Sequence, residues 1–139
     1  MPYMKPVYDV LEKNRGKVIY FDFWARWCPP CLAEMEPLKQ LRSKFSTDDL
    51  IIYSICVSEP KEQWEECLNE YSLKNRGIEC VHVTDYLGID NYQKIRKQWK
   101  IDRMPYYVLI NRKGQIIDFG TAARPSNPQL VSRIEEAVK

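Results

Sequence analysis

The chain has 139 residues, 45% of them apolar and 29% charged, with a formal net charge of +2. That is enough for one domain with a proper core and too little for two, and no charge excess points to nucleic acid, since the basic stretches KNRGK and NRKG read as turns. No apolar run approaches the ~18 residues of a membrane-spanning helix, and five cysteines, an odd number, argue against a scaffold stapled by disulfides.

The opening MPYMKPVYDV lacks the apolar core of a signal peptide, so the chain reads as cytosolic, as shorn of a targeting segment, or as a piece of something longer. PVYDVLEKNRG predicts a short helix with Val7, Val10 and Leu11 on one side and Gly16 as its stop. KVIYFDFW is a continuous apolar run, as in a strand buried on both faces. From Cys31 to Phe45, Leu32, Met35, Leu38, Leu41 and Phe45 form a helical stripe. Pro37 should kink that helix, because its ring meets the carbonyl of Ala33.

LIIYSICV predicts a second buried strand. A stripe of Trp64, Cys67, Leu68 and Tyr71 predicts a helix running to the break at Asn75–Gly77. IECVHV reads as a third strand, and Asp90 as the cap of a helix carrying Ile95 and Trp99. YYVLI, the turn NRKG and QIIDF form a hairpin. Asn127 caps a last helix, with Pro128 in its first turn and Leu130, Ile134 and Val138 along one face. Strands alternating with helices imply an α/β sandwich with a mixed central sheet. Right-handed crossovers then gather the strands' C-terminal ends on one side, where ligands and chemistry collect.

Cys28 and Cys31 sit at that end, at the start of a helix. A cysteine at a helix N-cap feels the positive end of the helix dipole, which favours the thiolate, the attacking species. Cys31, three residues on, faces back and can close a small ring with it. Pro29 and Pro30 suit the first turn, where their missing N–H groups would go unbonded anyway. They also remove two amides that could solvate a thiolate, so Cys28 should be acidified but not extremely. The alternative is a structural or zinc-binding pair. A closed zinc site needs about four ligands, and Cys56, Cys67, Cys80 and His82 are scattered without pair spacing, which favours redox chemistry.

Asp22 stands in the middle of VIYFDFW. A lone carboxylate buried there is costly, and the expected response is a raised pKa; the alternative is an edge position with the carboxylate in water. Pro105, at the very start of YYVLI, occupies a place where a cis peptide is tolerated, the alternative being a trans proline at a strand edge. Cys56 and Cys67 read as buried hydrophobes. Cys80 and His82 read as ordinary strand alternation rather than a reactive pair.

DFWARWCPPC resembles the active-site strand and turn of thioredoxins, and WCPPCLAEM resembles the membrane-anchored or periplasmic thiol–disulfide oxidoreductases of the TlpA/ResA-like branch. The likeness runs from about Gly16 nearly to the end, with a longer stretch than in thioredoxin between the cysteines and RMPYYVLINRKGQII. It implies a thioredoxin-like three-layer α/β/α sandwich with a central β-α insertion. One domain would span 1–139, with an N-terminal arm and short helix in 1–15 and the insertion within about 50–85.

By that resemblance Cys28 is the nucleophile, Cys31 the resolving thiol, and the two form a redox-active disulfide. Asp22 takes and returns the proton of Cys31 through water. Pro105 is the cis proline, and Met104 is the groove residue whose backbone pairs with a substrate peptide. Trp27 and Pro29 complete an apolar, flat face that also includes the loop GTAA. Glu34 matches the branch's CxxE pattern and reads as a solvated helix residue.

The activity implied is reduction of protein disulfides, with no cofactor and no metal. The partners implied are protein thiols and disulfides and an upstream redox partner. The chain is expected to be a monomer in a periplasmic or other extracytoplasmic setting, a cytoplasmic one being the alternative. Competing readings are a cytosolic tryparedoxin- or nucleoredoxin-like reductase, which shares WCPPC, a binding module that keeps the fold without the chemistry, and a metal-delivery protein.

Overall fold

Seven successive residues, all aliphatic or aromatic except Asp22, favour burial on both faces of a strand, and the sheet is built around them. Strand β1 (Val18–Trp24) is buried at every position. The computed structural model describes residues 5–58, 60–86 and 88–139. Residues 1–4 of the expected N-terminal arm, and the side chain of Val7, lie outside the described residues.

Helix α1 (Lys5–Lys13) precedes β1, and α2 (Pro29–Ala33) and α3 (Met35–Lys44) follow it. Then come β2 (Leu50–Cys56), α4 (Lys61–Glu70), β3 (Ile78–His82), α5 (Val83–Tyr86) and α6 (Ile89–Gln98). The hairpin β4 (Tyr106–Ile110) and β5 (Ile116–Gly120) and the last helix, α7 (Pro128–Ala137), complete the chain. The five strands lie in the order β3-β2-β1-β4-β5. β1, β2 and β3 are parallel, while β4 runs antiparallel to both β1 and β5. This is the expected mixed sheet.

Alternation along the strands divides the core. Ile19, Phe21 and Phe23 of β1 pack with Val10, Tyr92 and Ile95 of α1 and α6. Val18 and Tyr20 pack on the other face with Leu38, Leu41, Leu130 and Ile134 of α3 and α7. Trp24 meets Cys31, Met35, Cys67 and Leu68 from α2, α3 and α4. Helices thus cover both faces, giving three layers.

The helix expected across 31–45 is broken at Glu34, one residue past Ala33, as the ring of Pro37 requires. In the hairpin turn, Asn111 Oδ1 accepts from the amides of Lys113 and Gln115 (3.0 and 2.9 Å), and Gly114 supplies the positive φ of +79°. Asn127 caps α7 by accepting from Gln129 N–H. The ends of β1, β2 and β5 differ from expectation by a residue, and two further boundaries differ for a local reason. The third strand stops at His82 because its partner β2 ends opposite, at Cys56, and Val83 begins α5. Gly88, not Asp90, is the N-cap of α6: its φ of +79° turns the chain into the helix early and leaves Asp90 in the first turn.

Candidate active site

The chain leaves β1 through Ala25–Trp27 and enters α2 at Cys28, which occupies the N-cap in an extended conformation. Pro29 and Pro30 fill the first turn, so the first free amide is that of Cys31. That N–H donates to Cys28 Sγ across 3.3 Å. The amide that the two prolines leave in this turn is thus shared between that sulfur and Cys28 O, 3.0 Å away. Cys28 and Cys31 are joined as a disulfide with Cα atoms 5.3 Å apart. Cys28 is 4% and Cys31 2% exposed, while the neighbouring Trp27 is 69% exposed. The two cysteines are buried members of an apolar cluster, next in the chain to one exposed aromatic ring.

Tyr106 opposes Phe23 in the β4–β1 register, so Pro105 falls beside the end of β1. The Met104–Pro105 peptide is cis. Pro105 is buried, and its carbonyl accepts from Thr121 Oγ1 at 2.8 Å, which ties the loop after β5 to this point. Met104 is half-buried and packs against the cysteine cluster. Among the described residues no hydrogen bond uses its main chain.

Asp22 lies on the same face of β1 as Trp24 and is 4% exposed. Burial pushes its carboxyl up to about 7, Ser54 pulls it down through a hydrogen bond, and the negative charge of Glu34 pushes it up. The solvent-facing alternative is thereby replaced by a buried carboxyl on a central strand. Glu34, expected to be merely solvated, is half-buried and accepts from Ser126 N–H (2.9 Å) and Ser126 Oγ (2.7 Å), fastening the α2–α3 break to the entrance of α7.

Sequence reasoning passed over Ser58. Its hydroxyl accepts from Arg26 N–H at 3.0 Å and lies 3.3 Å from Cys56 Sγ, and its carbonyl is 2.7 Å from His82 Nε2. The Arg26 guanidinium reaches Gln63 O and Glu66 Oε2 on α4, 3.3 and 3.1 Å away. The ring of His82 rests against Trp64. The loop before Cys28 is thus held by the segment between β2 and β3. A serine just past a strand end carries no sequence signal for such a junction.

Cys56 and Cys67 are buried in the same cluster as the disulfide, and Cys80 packs against it. Burial pushes the thiols of Cys67 and Cys80 up to about 11. Among the described residues no three His, Cys, Asp or Glu side chains converge on a possible metal position, and no helix is long and apolar enough to cross a membrane.

A mixed sheet between helical layers, with a CXXC disulfide capping a helix and a cis proline beside it, defines a protein of thioredoxin-like fold carrying a thiol-redox motif. The chain belongs to the redoxin family, whose profile matches residues 7–138. It is 26% identical over 108 residues to the thiol-disulfide oxidoreductase ResA of Bacillus thuringiensis, an alignment covering 78% of this chain and 57% of that protein. This chain therefore spans little more than half the length of that relative. A candidate thiol-disulfide oxidoreductase from Bacteroides vulgatus, solved in solution, is 32% identical with a TM-score of 0.70, over 91% of this chain and 76% of the other. The thioredoxin domain of a thiol-disulfide oxidoreductase, also from Bacteroides vulgatus, is 22% identical with a TM-score of 0.76, over 93% and 84% of the two chains, and shows the shared fold.

Proposed function

We propose that this chain is a thiol–disulfide oxidoreductase that reduces protein disulfides. The observation that carries the reading is Cys28 at a helix N-cap, its sulfur facing the Cys31 amide at 3.3 Å and bonded to Cys31. That amide and the helix start favour the ionised sulfur once the bond is reduced. The Cys28 thiolate attacks one sulfur of a substrate disulfide, forming a mixed disulfide and releasing the other sulfur as a thiolate. Cys31 loses its proton to Asp22 and attacks Cys28 Sγ. The Cys28–Cys31 bond forms, the mixed disulfide breaks, and the substrate leaves as a dithiol. Two electrons have passed to the substrate, and an upstream thiol partner must return them.

A carboxyl that titrates at about 7 is suited to taking and returning a proton at neutral pH. Trp27, Pro29, Met104 and Pro105 form the docking face, with the unused main chain of Met104 pairing with an extended substrate strand. In this reading the chain works as one thioredoxin-like domain and as a monomer, in the extracytoplasmic setting that the TlpA/ResA resemblance implies.

The test is insulin reduction with dithiothreitol as electron donor, paired with Cys31→Ser trapping. The wild-type chain should accelerate reduction, and the variant should accumulate mixed disulfides through Cys28. A binding module would show neither. Partners recovered from the native compartment would separate an exported reductase from a cytosolic one of tryparedoxin type.

A further inference from the structure

The register sets four polar side chains in one row across the sheet: Cys80, Ser54, Asp22 and Tyr107, on β3, β2, β1 and β4. Ser54 interrupts the apolar run of β2 and is 1% exposed. A hydroxyl has little to contribute to a doubly covered parallel strand, where β-branched side chains pack better, and burying it costs free energy unless it is hydrogen-bonded. Its partner is Asp22: Ser54 Oγ donates to Asp22 Oδ2 at 3.3 Å.

Among the described residues the other groups around Asp22 make no such bond. Glu34 brings a like charge from the α2–α3 break. The Tyr20 hydroxyl donates instead to Ala123 O at 2.7 Å. Burial leaves the phenol of Tyr107 and the thiol of Cys80 protonated, yet among the described residues neither donates to Asp22, and Cys80 Sγ is turned toward Leu73 O. Among the described residues Ser54 is the one hydrogen-bond donor to this carboxylate.

We infer that Ser54 is a positioning residue of the reaction: its hydroxyl holds Asp22 in place and sets the proton affinity with which Asp22 serves Cys31. The bond favours the ionised carboxylate in surroundings that would otherwise keep it protonated. The role in catalysis rests on the proton transfer proposed above, whereas the effect on Asp22 does not, and the two are measured separately.

The carboxyl carbon of Asp22 is followed by carbon-13 NMR against pH in the oxidised wild-type chain and in Ser54→Ala, Ser54→Thr and Ser54→Cys. In parallel, the pH dependence of mixed-disulfide resolution by Cys31 is measured in stopped flow. Loss of the hydroxyl in Ser54→Ala should move the Asp22 midpoint upward by about one pH unit, the size to which a hydrogen bond to a charged group converts. Ser54→Thr should restore it, and Ser54→Cys, nearly isosteric with a weaker donor, should fall between. The pH profile of resolution should follow the same order, and in an Asp22→Asn background Ser54→Ala should leave that profile unchanged. An Asp22 midpoint that does not respond to Ser54→Ala or Ser54→Cys overturns the inference. A midpoint that moves while the profile stays fixed overturns Asp22's part in the reaction, and Ser54's with it, while leaving their bond standing.

Discussion

Cys28 and Cys31 share one apolar cluster with Cys56, Cys67 and Cys80, yet the two sets are built for opposite ends. The first pair begins a helix, with an amide pointing at a sulfur and the bond partner three residues away. The second set sits on β2, α4 and β3, where burial pushes Cys67 and Cys80 away from ionisation. In the proposed reaction the same side chain is a reagent in one set and a filler in the other, according to which end of which element carries it. Depth alone does not separate the sets, because the disulfide is itself largely covered.

The sharpest way to break this contrast is by substitution. Cys28→Ser should lower insulin reduction by roughly 10³-fold or more, whereas Cys56→Ala, Cys67→Ala and Cys80→Ala should each keep it within about two-fold, their cost appearing in stability instead. Comparable activity losses in both sets would remove the distinction. A second cut uses alkylation of the reduced, folded chain at pH 7 with mapping by mass spectrometry. Thiols held near 11 are ionised about 300-fold less than an ordinary cysteine at that pH. Cys28 should therefore be labelled first, and Cys67 and Cys80 only on unfolding.

The finest cut concerns Asp22, which serves the first set in the proposed reaction and whose charge also bears on Cys80. Its carboxyl is raised from 3.8 to about 7 in the fold. Between those values the folded chain holds a proton that the unfolded chain has released, so stability falls as pH rises through the window and levels off above it. Asp22→Asn removes the titration. Urea denaturation of the two oxidised proteins should show the variant's stability gaining on wild type by roughly 3 kcal/mol between pH 5 and pH 8. A gap that stays constant would show a carboxyl with ordinary access to water.

Much of this was open to reading in one dimension. The strands at 18–24, 50–56 and 106–110 are uninterrupted enough that only a doubly covered sheet can hold them, and the placement of CPPC between the first strand and a helical stripe located the N-cap. Pro37 marked the break at Glu34 through a local clash. What escaped depends on partners far along the chain. Glu34 and Ser126 are 92 residues apart, and nothing near either announces the other. Ser54 carries no signal of its own within LIIYSICV, because its meaning comes from standing opposite Asp22 in the register. Asp90 had the chemistry of a cap, but a glycine two residues earlier had already turned the chain.

Ser58 joins the stretch before Cys28, the end of β2 and the imidazole of His82 through two of its oxygens. The approach to Cys28 is thereby anchored to two strands of the sheet, and its course depends on residues some 30 to 55 positions further along the chain.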